Sequence, residues 1–531
     1  MLKNFSAICL LLALFLTALI FLPVTKDNFL VKETVFYIFI GLGTIFSRQK
    51  IFADVDVPFL FFFLAILLSL WSASFPFLVL SFLWYIFNLY LGYSLARNLP
   101  EKFRQKIPDL LWLIGFLIGV YGLLQHSGFD LFLWASTYSG RPASSFGNPN
   151  FFAGYLVVML PLLLADLQKK NYRLINLLIF FLLLLNLYWT RTRGAWLAAA
   201  VTAVFYFTRR SLVDKKRWSG WLAAALFLIV FGLALIFWPG LRTSPSVAER
   251  IFKWQTAIEM VRQHPFSGVG ANNLKVNFAL YQTIVREKNN LALRGTSESN
   301  VHNEYCQIAA ETGIIGLFAF LLIFIWYFRR IDSQQNSPYS AAVLGFAFFS
   351  LTNFPLHIVP TALLFFVAMG LAQRPEENKD AGNFRLKVLG WLVFFVLLDW
   401  FLAIRPFIAD YYRARGDRER DNKNYLRAID YYQKSIELDR EHSERTAYDL
   451  GEIYRLLGDY QKAIAAYEIS ISLRNYAELY NNIGNCYYLL SDLENARKNW
   501  QKAYELKMPT ITDQKLLENN LRQIQKRLRK E

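Results

Sequence analysis

The chain has little cysteine, little charge and, on the outer loops read below, no acidic pair spaced to hold a metal. Its three cysteines, Cys9, Cys306 and Cys486, stand in unrelated contexts without paired spacing, so neither a disulfide framework nor a zinc site is indicated. In 125–150, 190–194 and 239–312, loops read below as extracytoplasmic, there is no DxD-like pair, only the lone Asp130 and scattered glutamates. No metal and no other cofactor is therefore expected. Charged residues make up only 18% of 531, against 55% hydrophobic and 17% aromatic. That is more apolar surface than one soluble core can bury, so the chain reads as all-α: a polytopic helix bundle with a soluble part attached. The apolar stretch after Lys3 lacks a small-residue cleavage pattern and is read as a transmembrane helix, not a signal peptide.

Apolar windows long enough to cross a bilayer run over Phe5–Leu22, Phe29–Phe46, Val57–Trp71, Phe75–Leu95, Ile107–Leu124, Phe151–Leu164 and Leu174–Trp189. Six more follow at Ala195–Phe207, Trp221–Trp238, Gly313–Phe328, Ala341–Phe354, Ile358–Leu371 and Phe384–Ile404. Basic clusters fall in alternate loops: Arg48 with Lys50, Lys102 to Lys106, Lys169 to Arg173, Arg209 to Arg217, Arg329 with Arg330, and Arg385 with Lys387. Placing these in the cytoplasm accounts for the net charge of +17 without invoking nucleic acid. It puts the N-terminus inside, and leaves 125–150, 190–194 and a large loop at about 239–312 outside. With thirteen spans, everything after Ile404 is also extracytoplasmic.

Two kinds of residue stand out on that outer face. His302 precedes the apolar run that begins at Gly313, and is expected near the start of a helix capped by Asn300 or Ser299, where free amides and the helix dipole favour a neutral imidazole. Arg141, Arg191, Arg193, Arg250 and Lys253 are basic residues against the positive-inside trend. Fixed guanidinium groups at headgroup depth suit a diphosphate, and the bland alternative is snorkelling to phospholipid. Glu249 to Gln263 carries Ile251, Trp254, Ile258 and Val261 on one side, the pattern of a helix lying on the membrane or packed in a loop.

Beyond Arg405 the pattern turns soluble and repeats at about a tetratricopeptide length: Gly416, Gly451 and Gly484; Ala428, Ala463 and Ala496; Tyr432, Tyr467 and Trp500. Two to three repeats and a basic closing helix are expected over 405–531, after a membrane domain over 1–404. Whether the array braces the bundle or recruits a protein partner stays open.

The segments SSFGNPNFFAGYL, RGAWL, ERIFKW with HPFSGVGANNL, and HNEYCQIAAETGIIG resemble, in that order, the O-antigen ligase family. Its R-x-x-x-L pattern is met by Arg193 and Leu197, and its histidine followed by a glycine by His302 and Gly313. The resemblance covers most of the chain up to Leu371 and not the repeats. It implies a bundle of about twelve to thirteen spans like those of membrane glycosyltransferases using lipid-linked sugars, in a bacterial cytoplasmic membrane. The implied reaction is metal-independent, inverting transfer of a glycan from undecaprenyl diphosphate to a lipid or protein acceptor. His302 would be general base, with Arg193 and Arg250 stabilising the departing diphosphate. Arg141, Arg191, Lys253 and Asn148 would bind substrate, and Asn303 or Glu304 would orient the acceptor or the imidazole. The competing readings are a polymerase of lipid-linked repeat units and a non-catalytic scaffold or transporter of envelope glycan assembly.

Overall fold

Proline opens many of the apolar helices, at Pro58, Pro76, Pro108, Pro149 and Pro360, where its missing N–H costs nothing and its fixed φ starts the turn. The computed structural model describes residues 2–21, 25, 28–47, 56–130, 138, 140–168, 173–214, 245–288, 300–331, 337–373, 384–506, 508 and 511–528. Among these the regular elements are helical, with no strand. In chain order they are α1 Leu2–Leu19, α2 Asn28–Ile45, α3 Val57–Leu68, α4 Pro76–Arg97, α5 Glu101–Arg104, α6 Ile107–His126, α7 Pro149–Leu167, α8 Leu174–Trp189 and α9 Arg193–Asp214. Then come α10 Pro245–Gln263, α11 Leu274–Lys288, α12 Glu304–Arg330, α13 Ser337–Phe349, α14 Val359–Leu371 and α15 Phe384–Asp399.

The chain is a multi-pass membrane protein. Among the described residues, five helical stretches are long and apolar enough to cross a bilayer: Pro76–Arg97, Glu101–His126, Pro149–Leu167, Glu304–Arg330 and Gly390–Asp421. Shorter apolar helices accompany them at Asn4–Leu19, Val57–Ser72, Leu174–Trp189, Pro338–Phe349 and Val359–Leu371. The expected span Trp221–Trp238 lies outside the described residues. The window Ala341–Phe354 is shorter as a helix: α13 ends at Phe349, and a turn over 350–353 leads to Pro355.

Helix α14 is the centre of the bundle, buried along its whole length and packed against α4 and α7. Its Gly370 is there because a Cβ would sit 2.3 Å from the Tyr93 carbonyl, so only the smallest residue lets the two backbones approach. Helix α8 turns Leu174, Leu177, Leu178 and Phe181 outward, an apolar face that water would penalise and lipid does not.

After α15 a π-helical stretch, Trp400–Ile404, runs without a break into α16 Arg405–Asp421. Three antiparallel pairs follow: α16 with α17 Tyr425–Leu438, α18 Glu444–Leu456 with α19 Tyr460–Leu473, and α20 Ala477–Leu489 with α21 Leu493–Leu506, closed by α22 Ile511–Leu528. The repeat residues explain the pairing. A Cβ on Gly416, Gly451 or Gly484 would lie 2.4, 2.6 and 2.4 Å from the rings of Tyr432, Tyr467 and Trp500. Each aromatic then donates to the polar residue after its glycine: Tyr432 to Asp417 (2.7 Å), Tyr467 to Glu452, and Trp500 to Asn485 (3.1 Å). Gly451→Ala therefore overpacks a finished hole, and we expect a loss of about 1–3 kcal/mol in repeat stability. Thermal unfolding of the full chain in detergent checks this, with Gly390→Ala, where a Cβ meets nothing within 4 Å, as the unaffected control.

The array touches the rest of the chain at the turn after α17 and at the end of α21. Thr283 of α11 donates to the Leu506 carbonyl at 3.4 Å, and the Phe77 ring lies 6.1 Å from that of His442.

Candidate active site

A crossing of two backbones positions the site. At Gly313, φ is 70° and ψ −174°, so α12 kinks, and the Ile314 N–H leaves the helix to bond the Pro265 carbonyl at 2.8 Å. Opposite it, the Val269 N–H bonds the Ala310 carbonyl at 2.8 Å. A Cβ on Gly313 would stand 2.2 Å from the Phe266 oxygen, and one on Gly268 2.3 Å from the Glu311 carbonyl carbon. Asn272 N–H adds a 2.9 Å bond to Glu311 Oε2. The segment after α10 is thus pinned across α12, which fixes the residues of α10 relative to the start of α12.

His302 sits at that start. The expected cap is corrected: Asn303 caps α12, its Oδ1 accepting from the Cys306 N–H at 3.0 Å, because Val301 and His302 are not helical and His302 has φ 53°. Ser299 lies outside the described residues. Trp254 Nε1 donates to the Val301 carbonyl at 3.0 Å on one side. On the other, Asn303 Nδ2 donates to Leu351 O at 3.1 Å, and the Glu304 N–H is shared between Ser350 O (2.8 Å) and Asn353 O (3.0 Å). The imidazole packs edge-on to Phe354, centroids 5.4 Å apart. Its Nδ1 is buried, and no hydrogen bond to the ring is formed among the described residues. Burial first, then the charges of Lys253 and Arg250, push its pKa down to about 4, opposed weakly by Glu249.

Helix α10 supplies that positive field. Lys253 is buried and 2.8 Å from Glu249 Oε1, and Arg250 is half-buried, its pKa lowered by desolvation. The pattern is not a simple buried stripe: Ile251 and Ile258 are exposed while Lys253, Thr256 and Glu259 are buried. Glu259 is tolerated inside because Lys288 reaches it at 2.8 Å.

A second polar group gathers at the start of α7. Asn148 caps that helix, accepting from the Asn150 N–H at 2.8 Å. Arg141 is half-buried, its Nε on the Thr190 carbonyl at 2.7 Å and Nη2 at 3.4 Å from Asn150 Oδ1, which also accepts from Thr192 at 3.0 Å. Arg141 is therefore tying loops together. Arg191 (φ 51°) and Arg193 are exposed. Next to Arg193, Gly194 lies so close to Thr352 that a Cβ would be 2.1 Å from its hydroxyl. Phe151 links this group to the first, its ring 5.5 Å from Phe354.

The Ser350–Phe354 turn thus has His302, Asn303, Glu304 and the Arg193 end of α9 on its flanks. His302, Arg250 and Lys253 interact electrostatically, whereas Arg141 and Asn148 belong to the neighbouring group. Glu304 does not open onto either. It is fully buried, Oε1 3.0 Å from His357 Nδ1 and Oε2 accepting from the Leu356 N–H at 2.9 Å. His357 was not singled out by the sequence. Its only signal there is a histidine in the three-residue gap between the windows ending at Phe354 and beginning at Ile358. Among the described residues, no group of three or more His, Cys, Asp or Glu side chains is arranged to hold a metal.

Comparison with known proteins fits this architecture. Residues 178–321 match the family model described as O-antigen ligase, and 409–442, 444–475 and 477–507 match that of the tetratricopeptide repeat. The chain is 25% identical over 318 residues to the ComP-specific O-oligosaccharyltransferase of Acinetobacter baylyi, covering 55% of this chain and 54% of that one. It is 24% identical over 348 residues to the General O-oligosaccharyltransferase of the same organism, covering 59% and 58%. The chain spans a little over half the length of these curated relatives. Among solved structures, the first TPR of Spaghetti (RPAP3) bound to an HSP90 peptide matches at 23% identity and a TM-score of 0.20, over 23% of this chain and 92% of that one. The chain carries an O-antigen ligase family domain followed by tetratricopeptide repeats.

Proposed function

We propose that the protein is a bacterial inner-membrane glycosyltransferase that moves a glycan from an undecaprenyl-diphosphate donor to a lipid or protein acceptor on the extracytoplasmic face, inverting the anomeric centre and using no metal. The observation that carries this reading is a neutral imidazole, free of hydrogen bonds among the described residues, held beside a buried lysine and a half-buried arginine. His302 takes the acceptor hydroxyl proton, the acceptor oxygen bonds to the anomeric carbon from the side opposite the diphosphate, and the carbon–diphosphate bond breaks. Arg250, Lys253 and Arg193 meet the charge that develops on the departing phosphates. The relatives' names as O-oligosaccharyltransferases support transfer of an assembled oligosaccharide. Contacts of α11 with α21, and of Phe77 with His442, support placing residues 405–531 on the same face as His302.

The test is transfer in proteoliposomes from a lipid-diphosphate donor, with lipid and protein acceptors offered side by side and chelator present. Because His302 is depressed to about 4, it stays in its base form from pH 5 to 8, and kcat/KM is expected to be flat there. A donor diphosphate on Arg250 and Lys253 cancels their positive field, so the acid limb of kcat is expected above that of kcat/KM. A limb near 6.5 in kcat/KM, or a requirement for added divalent cation, would count against the assignment.

A further inference from the structure

His302 holds a backbone conformation that L-residues seldom adopt, costing on the order of 1–3 kcal/mol, and such a conformation persists only where its surroundings over-determine it. Three of the hydrogen bonds that do so, from Asn303 Nδ2 and the Glu304 N–H, end on one turn, Ser350–Phe354. The same turn presents the Phe354 ring to the imidazole. At its near end it is tied to α13 by the Ser350 N–H on Phe346 O. Its far end, Pro355–His357, is tied down by Glu304, which reaches both the Leu356 N–H and His357 Nδ1. Phe82 stacks on the His357 ring at 5.3 Å, and Tyr85 donates to the Leu356 carbonyl at 2.8 Å.

We infer that Glu304 and His357 are positioning residues for His302: their buried ion pair fixes the turn that clamps the His302 backbone and covers its ring. A buried pair of this kind contributes little net stability, and its best-attested use is to fix one arrangement over others. Glu304 thereby acts through the turn and not on the acceptor. The consequence for catalysis rests on the reading of His302 as base, whereas the clamp itself can be tested without any glycan.

The experiment is acylation by diethyl pyrocarbonate, which modifies neutral imidazoles, mapped peptide by peptide by mass spectrometry on the full chain in nanodiscs from pH 5 to 8. The charged groups that act on His302 are Lys253, Arg250 and Glu249 on α10, whereas Glu304 on α12 and His357 on the turn beside it act on each other. In the wild type, His302 is expected to react slowly and with no pH dependence in that window. In Glu304→Gln/His357→Leu, which removes the carboxylate and the imidazole together, it should react at least about fivefold faster, and its midpoint should climb by about one pH unit as water enters. His357→Gln, which keeps a donor to Glu304, should restore most of the wild-type behaviour. Unchanged His302 rate and pH profile in the double variant would overturn the inference.

Should the reactivity of His126, His264 and His442 show that the double variant has lost its fold, Phe354→Leu decides the matter, since it uncovers the ring while leaving Glu304 and His357 in place, at the cost of one edge-on contact with His357. Faster labelling of His302 there supports the clamp, and wild-type labelling refutes it. In the transfer assay the double variant is expected to keep its donor KM and lose about 10–100-fold in kcat. Absence of transfer by the wild type would remove the proposed function and leave the labelling result standing.

Discussion

Replacing His302 with alanine is expected to lower glycan transfer by about 10²–10⁴-fold, with the protein present at its normal level and the donor KM little changed. The magnitude follows from the chemistry that is lost. On the proposed mechanism alanine removes the proton acceptor held in the field of Arg250 and Lys253, while the basic residues proposed to meet the diphosphate stay where α10 puts them. The fold should tolerate the change. The imidazole makes no hydrogen bond among the described residues, and its loss frees the backbone of no partner, since Trp254, Asn303 and Glu304 hold the chain on either side. Equal expression, unchanged thermal unfolding and a lost rate together meet the expectation. Near-normal transfer by His302→Ala would move the base elsewhere.

Gly313→Val is expected to be the most damaging single change outside the chemistry, abolishing stable membrane expression or costing more than about 4 kcal/mol. Two independent penalties coincide there. A β-branched residue at φ 70° is strained whatever the space, and its Cβ would be driven to 2.2 Å from the Phe266 oxygen, a backbone atom that has no rotamer to escape into. The facing Gly268 cannot yield either, because it lies against the Glu311 carbonyl. Detergent-solubilised yield and thermal unfolding measure the effect, and a variant at wild-type stability would show that the crossing is not held as described.

Much of this is legible in the residues themselves, for reasons that can be named. The repeat glycines and aromatics announce the array, because a close helix pair needs one partner without a side chain and the other with a ring to fill the gap. The apolar windows announce the bundle, although one of them stops being helical at Phe349, short of its expected end at Phe354. The sequence groups His302 with Arg193 and Arg250, whereas the fold puts Arg250 and Lys253 in the field of His302 and leaves Arg193 exposed at the start of α9.

What the residues do not carry is partnership across long separations. Glu304 reads as a polar residue at the mouth of a site, yet the Pro355–His357 turn, about fifty residues on, covers it and takes both its oxygens. The cap of α12 goes astray by a few residues because capping depends on where the backbone stops being helical. That point is set by the Ser350 and Asn353 carbonyls, from another part of the chain.

The π-helical stretch at Trp400–Ile404 acts as a phase adjuster between bundle and repeats. Because α15 passes into α16 with no flexible joint, the array's orientation follows helical rotation, and each residue added or removed there turns everything beyond it by about 100° and shifts it by about 1.5 Å. A π turn is one residue wider than an α turn. Trimming it to α geometry would swing His442 away from Phe77 and Leu506 away from Thr283, uncoupling the repeats from the loop that carries the site while leaving both halves folded. Orientation of the array is thus encoded in a count of residues, and a deletion too small to alter either fold would be enough to point the repeats at the wrong place.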